Sequence, residues 1–277
     1  MSDCTSNCDT CGVSDCASRQ GTPADFSVKL AAGCSVKKVV GVVSGKGGVG
    51  KSMVTSLLAA ASMREGFKTA VLDGDITGPS IPKAFGVHQN LVGSPDGLIV
   101  PATTSLGIDL VSVNLMLANE TDPVIWRGPV LGGVIKQFWG ETLWNNIDYM
   151  FIDMPPGTGD VPLTIFQSIP LDGIIIVASP QELVGMIVEK AANMARMMQI
   201  PILGIVENMS YVVCPDCGKK INIFGESHID EIARLYDVPV LAKLPVDPAL
   251  AQACDEGKIE FLENDYMKDA MEVIKKL

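Results

Sequence analysis

Three observations predict an α/β fold, a mostly parallel sheet with helices on both faces. From Lys37 onward, short and nearly continuous runs of Val, Ile and Leu alternate with longer mixed segments. Runs of that kind are what strands covered on both faces require, whereas a half-exposed strand alternates apolar with polar. Regular alternation of strand and helix means each strand returns by a crossover, so neighbouring strands lie parallel. The third observation is Gly45 to Ser52, GKGGVGKS, which directly follows the first apolar run and opens a helical stretch.

Taken in order, the expected strands are 38–44 (KVVGVVS), 68–73 (KTAVLD), 109–113 (DLVSV), 149–155 (YMFIDMP), 173–180 (GIIIVASP), 202–209 (ILGIVENM) and 238–245 (VPVLAKLP). Expected helices cover 50–65, about 128–145, 182–199 and 226–236. No linker interrupts these elements, so 37–277 is read as one domain. Residues 1–36 are rich in Cys, Ser, Asp and Thr, with too few large apolar side chains to bury a core of their own. They are read as a short metal-binding appendage.

Composition narrows the function. A net charge of −11 and no cluster of Lys and Arg leave no general basic surface for phosphate backbones, so no nucleic-acid partner is expected. No run of about 18 uncharged apolar residues appears, and the N-terminus lacks the apolar segment of a secretory signal. A cytoplasmic chain without stable membrane association is expected. There the tight spacing of its cysteines points to metal before disulfide.

GKGGVGKS fits the GxxxxGK[ST] pattern in the context that gives it a mechanism. Glycines at 45, 47, 48 and 50 let backbone amides approach phosphate oxygens, and the helix N-terminus adds its positive end. Lys51 reaches the terminal phosphates, and the Ser52 hydroxyl can ligate Mg²⁺. Lys46 is one lysine more than this task requires. Carboxylates for a metal and a water are offered by Asp73, Asp75 and Asp153, each at or just past the end of an apolar strand, where parallel sheets place ligand-binding groups. No NKxD stretch for guanine is present, so ATP is the expected nucleotide.

Cys214 and Cys217 form a CxxC in a Pro/Gly turn just past a strand. Two thiolates are half of a tetrahedral metal site or half of the four ligands of a cubane cluster. The same pair from each chain of a symmetric dimer would make four. A zinc knuckle and a redox dithiol are the other readings. Cys4, Cys8, Cys11 and Cys16, within thirteen residues, could enclose one [4Fe-4S] cluster or a zinc ion. Cys34 and Cys254 stand alone and are expected to act as small apolar residues.

GKGGVGKS, LDGDITGPS, DMPPGTGD, ENMSYVVCPDC and LPVDP, in this order over 37–277, resemble the Mrp/ApbC-type iron-sulfur cluster carrier ATPases. These are P-loop NTPases of the deviant Walker A type, related to MinD. The resemblance implies a slow ATPase acting as a homodimer. It implies that Lys46 reaches across to the partner's phosphates, that Asp75 positions the attacking water, and that Asp73 supports Mg²⁺ and the loop. Asp153 is implied to hold Mg²⁺ through water, with Asn208 and the Pro245 to Asp247 loop bounding the adenine. A labile [4Fe-4S] cluster would bridge the subunits at Cys214 and Cys217, arriving from a donor and leaving to recipient apoproteins. The resemblance also favours iron-sulfur at the N-terminal cysteines, whose spacing is more compact than in eukaryotic cytosolic scaffold members. Two alternatives share the fold: a MinD-like positioning switch, and an electron donor like nitrogenase reductase.

Other features have plainer expectations. His88 and His228 are read as non-catalytic, since neither lies beside a nucleophile elbow. Met186, Met194, Met197 and Met198 are expected to pack in a core or dimer contact. Met267, Ala270, Met271, Ile274 and Leu277 share one face of a C-terminal helix expected to pack on the domain.

Overall fold

The computed structural model describes residues 26–75, 80–117, 128–157, 159–180 and 184–277. Cys4, Cys8, Cys11 and Cys16, with most of segment 1–36, lie outside the described residues. The chain runs from β1 (Val36–Ser44) through the glycine loop into α1 (Lys51–Arg64), then β2 (Thr69–Asp73) and α2 (Ser80–Ala84). A small hairpin of β3 (Val92–Gly93) and β4 (Ile99–Val100) precedes β5 (Ala102–Thr103), β6 (Asp109–Ser112) and a 3-10 turn over Val113–Met116. Next come α3 (Gly128–Gly140), β7 (Ile147–Asp153), α4 (Asp160–Ser168), β8 (Gly173–Ala178) and α5 (Val184–Met197). The last part holds β9 (Ile202–Val213), β10 (Lys220–Ile221), α6 (Ile229–Tyr236), β11 (Val240–Pro245), α7 (Pro248–Asp255), a 3-10 turn over Ile259–Phe261 and α8 (Lys268–Ile274).

Among the described residues nine strands form one sheet in the order β10-β9-β8-β1-β7-β2-β6-β5, with β11 also paired to β9. Every pairing is parallel except β5 with β6 and β10 with β9. The V/I/L runs resolve into two faces with a period of two. Val40, Val42, Val71, Phe151, Ile175 and Val177 point to one core, closed by α1, α7 and α8 through Leu57, Leu58, Leu250, Met271 and Ile274. Val39, Val43, Leu72, Met150, Ile152 and Ile176 point to the other, closed by α3 to α6 through Phe138, Ile165, Val188 and Ala233. A strand buried on both sides has no polar face to show, which is why the sequence reads as continuous.

Several boundaries differ from the sequence reading. β9 runs four residues past the expected 209, because β11 and the short β10 give its far end partners at Tyr211 and at Val212–Val213. α3 stops at Gly140 instead of 145; residue 142 turns back to bridge Ile99. α4 and α7 are short helices hidden in Pro/Gly-rich text. Asp247 caps α7, its Oδ1 accepting from Ala249 N at 2.9 Å with Pro248 at the first turn, a start signal that also suits a binding loop.

The C-terminal helix packs as expected: Met267, Ala270, Met271 and Ile274 are fully buried. Of the methionines around α5, Met194 and Met198 pack on the core, whereas Met186 and Met197 are 53% and 80% exposed on the single chain. His88 and His228 are exposed. Among the described residues no helix is long and apolar enough to cross a membrane.

Candidate functional site

The parallel register brings the sequence-predicted carboxylates together. Asp73 at the end of β2 pairs with Asp153 at the end of β7 and with Ser112 at the end of β6, while Asp153 also pairs with Val42 of β1. Four strands therefore end at one edge of the sheet, where the glycine loop crosses from β1 to α1. Parallel sheets bind ligands in such a crevice, where successive crossovers diverge.

At that edge Lys51 is 5% exposed, its Nζ 2.7 Å from Asp153 Oδ2 and 3.3 Å from Asp75 Oδ2. These are close ion pairs, and beyond them Nζ has no further hydrogen-bond partner in the protein. A buried cation in that condition favours an additional anionic partner, and it lines the cleft described below. Ser52 Oγ donates to Asp153 Oδ2 at 2.6 Å, and Thr55 Oγ1 donates to Asp153 Oδ1 at 2.7 Å. Asp73 accepts from Ser112 Oγ at 2.7 Å and from Asp75 N at 3.1 Å. Burial, and next the charge of Asp153, push the Asp73 carboxyl well above the usual carboxylate range, against the opposing pull of Ser112 and Lys51. Two carboxylates, Asp75 and Asp153, face the Lys51 ammonium, and with the Ser52 hydroxyl they offer oxygen ligands of the kind a divalent cation takes.

The loop itself is fixed by close approach. Gly50 has φ 81°, a conformation that L side chains rarely adopt, and a Cβ there would lie 2.1 Å from Asn208 Nδ2, so any other residue would be strained and would displace the Asn208 amide. Asn208 is buried and donates from Nδ2 to Val49 O at 2.9 Å. Lys46, Gly47, Gly48, Gly50, Lys51, Ser52 and Asp75 line a cleft of about 510 Å³, whose remaining wall includes Ser80, Lys83, Cys254 and Asp255. Lys46 is half-buried, and its carbonyl accepts from Ser44 Oγ at 3.0 Å. Gly45 and Val49 belong to the same loop without lining the cleft; nor do Asn208, Pro245 or Asp247 line it. Asn208 stands behind the loop, Pro245 ends β11 and Asp247 lies two residues past it, where its Oδ2 also accepts from Tyr266 Oη at 3.3 Å.

Sequence reading missed Thr55, Ser112 and the Lys83–Asp255 pair, whose ions are 2.7 Å apart on the cleft wall. Thr55 lies three residues after Ser52 and four after Lys51 on one helix face, a spacing that could have revealed it. Cys254, expected to be a small apolar residue, does pack on the core, and burial raises its thiol pKa.

The second site lies at the tip of the β9–β10 hairpin. Cys214 N donates to Lys219 O and Gly218 N donates to Cys214 O, both at 2.9 Å, closing a turn in which Gly218 has φ 71°. Cys214 is half-buried and Cys217 exposed. Backbone amides of Cys217 and Asp216, then the Cys217 side chain, lower the Cys214 thiol pKa; amides that stabilise a thiolate equally suit a metal-bound thiolate. Among the described residues no group of three or more His, Cys, Asp and Glu is arranged to hold a metal, so among them this turn offers two thiols and no third ligand.

A family model described as the NUBPL iron-transfer P-loop NTPase, of the ParA group, matches residues 35–277. The iron-sulfur cluster carrier protein of Clostridium perfringens is 44% identical over 82% of this chain and 82% of its own length. That of Methanocaldococcus jannaschii is 44% identical over 93% of this chain and 90% of its own. Among solved structures, a nucleotide-binding protein from Archaeoglobus fulgidus in complex with ADP superposes with a TM-score of 0.76 at 40% identity, covering 83% of this chain and 90% of that one. The Pyrococcus furiosus cell division ATPase MinD shares the fold alone, at a TM-score of 0.58 and 22% identity over 86% of this chain and 95% of that one. With the matched span including the glycine loop, the carboxylate edge and the cysteine turn, the chain belongs to the NUBPL iron-transfer P-loop NTPase family.

Proposed function

We propose that this protein is an ATP-dependent iron-sulfur cluster carrier. It would hold a [4Fe-4S] cluster as cargo between the Cys214 and Cys217 pairs of two copies, and pass it to apoproteins with hydrolysis coupled to the dimer state. The observation that carries this reading is the half-built cysteine turn on the same strand that touches the phosphate loop: Asn208 meets Val49, and Cys214 follows six residues later. Two thiols at an exposed tip are completed most simply by a second copy about a twofold axis.

Phosphoryl transfer depends on positioning and on positive charge at the phosphates. Lys51 would turn its ammonium from Asp153 and Asp75 to the terminal phosphates. Ser52 and Asp153 would hold Mg²⁺, Asp153 through water, and the ion would neutralise the charge between the transferred group and its leaving oxygen. Asp75, released from Lys51, would orient the attacking water, with Asp73 buttressing the loop through its contact with the Asp75 amide. Lys46 would reach the nucleotide of the second copy, so that turnover is slow until the dimer closes. Asn208 and the Pro245–Asp247 segment would bound the adenine. Cys4, Cys8, Cys11 and Cys16 would hold a second cluster in segment 1–36.

The test is anaerobic reconstitution followed by transfer to an apo-acceptor. Wild type should take up iron and sulfide and activate the acceptor, and Cys214→Ala with Cys217→Ala should lose the cargo iron and the transfer. Unchanged iron content and transfer in that double variant would overturn the reading.

A further inference from the structure

β9 carries both the phosphate-loop contact and the cysteine turn, and between them it is not a regular strand. β11 pairs Lys243 with Glu207 and Pro245 with Tyr211. Two steps along β11 thus match four along β9, and residues 208–210 bulge from the ladder. Met209, at the centre of the bulge, has φ 58°, a left-handed conformation that a side chain with a Cβ adopts only when its surroundings enforce it. Bulges next to functional sites re-aim the chain that follows them.

Both sides of the bulge are clamped. Towards the nucleotide, the Asn208 amide donates to Val49 O at 2.9 Å and accepts from Met209 N at 2.9 Å. One side chain therefore spans the loop backbone and the left-handed residue. The amide also lies close against the next residues of the loop, 2.1 Å from where a Cβ on Gly50 would stand. Towards the cysteines, the fully buried Glu207 accepts from Ser210 Oγ at 2.5 Å across the bulge and from Ser227 Oγ on the leg returning from the hairpin. Tyr211 O accepts from Val246 N at 2.7 Å, holding the strand where it resumes its pairing.

The geometry points to residues 208–210 as a crank that transmits the state of the phosphate loop to the Cys214–Cys217 turn. A shift of Val49 on phosphate entry moves the Asn208 amide, which holds or releases Met209 from its left-handed conformation and so re-aims the hairpin five residues on. Met209 and Ser210 are positioning residues, acting on the thiols through the backbone. The inference rests on the carrier reading, in which nucleotide state has to reach the thiols, but its test needs no cluster.

The experiment is peptide-resolved alkylation of Cys214 and Cys217 by iodoacetamide in the full-length, reduced, iron-free protein, with and without saturating Mg-ATP. In wild type, nucleotide should change the alkylation rate at this pair by about threefold or more, as a two-state shift would. Met209→Leu, which keeps the Cβ, should retain the change. Met209→Gly, which removes the conformational penalty, should lose most of it while nucleotide affinity stays within about twofold of wild type. If Met209→Gly does not fold, Ser210→Ala, which cuts the tie to Glu207, should show the same loss. A wild-type rate indifferent to nucleotide, or a Met209→Gly or Ser210→Ala protein with the full response, would overturn the crank. A protein with the response but without iron at this pair would sink the carrier reading and leave the crank standing.

Discussion

The phosphate edge and the cysteine hairpin are built on opposite principles. At the edge, four strand ends and one helix N-terminus converge on buried groups whose partners are already in place: Asp153 holds Ser52 and Thr55, and Asp73 holds Ser112 and the Asp75 amide. At the hairpin, a two-residue pairing of β10 with β9 supports a turn whose second thiol faces solvent. The first site is assembled from one chain's own buried groups, and under the carrier reading Lys51 and Asp75 exchange partners there when phosphate enters. The second shows two thiols among the described residues, and under the carrier reading a second copy supplies the rest. The phosphate edge is thus built from one chain's strands, and under the carrier reading the cargo site needs two.

The sharpest way to break this contrast is to remove one site and look for damage at the other. Lys51→Ala should reduce nucleotide turnover by roughly 10³-fold or more, given what one preorganised charge contributes, while the thiols still take up iron on reconstitution. Asp75→Ala should slow turnover with binding largely kept, a split visible in separate binding and single-turnover measurements. If both variants lose binding equally, the separate roles given to Lys51 and Asp75 fail. The smallest effect concerns the hairpin alone. Because backbone amides favour its thiolate, Cys214 should alkylate in the folded protein with a pH midpoint below that of the same thiol in the urea-unfolded chain. Coincident midpoints would mean that the turn does not organise the thiol.

Much of the edge was legible in the sequence because its signals are local. GKGGVGKS announces its own backbone, and Asp73 and Asp153 stand where apolar runs end, which in a parallel sheet is the binding edge. What could not be read depends on register between distant segments. Ser112 meets Asp73 only because β6 lies beside β2, and the bulge at 208–210 exists only relative to β11. Asp247–Pro248 was legible as chemistry but ambiguous as structure, since a helix start and a binding loop share those residues. The hairpin was half legible: CxxC gives the ligands, but nothing in ENMSYVV says that the strand continues to Val213, which sets where the thiols sit.

The most direct test of the central claim, that two copies complete one cargo site, is iron and sulfide quantitation with native mass. It should use full-length protein in which Cys4, Cys8, Cys11 and Cys16 are replaced by Ser, so that the hairpin pair is read alone. The expected result is about two irons per chain in a species of two chains, that is, one four-iron cluster per dimer. A monomer retaining a complete cluster, or a dimer without iron at Cys214 and Cys217, would contradict it.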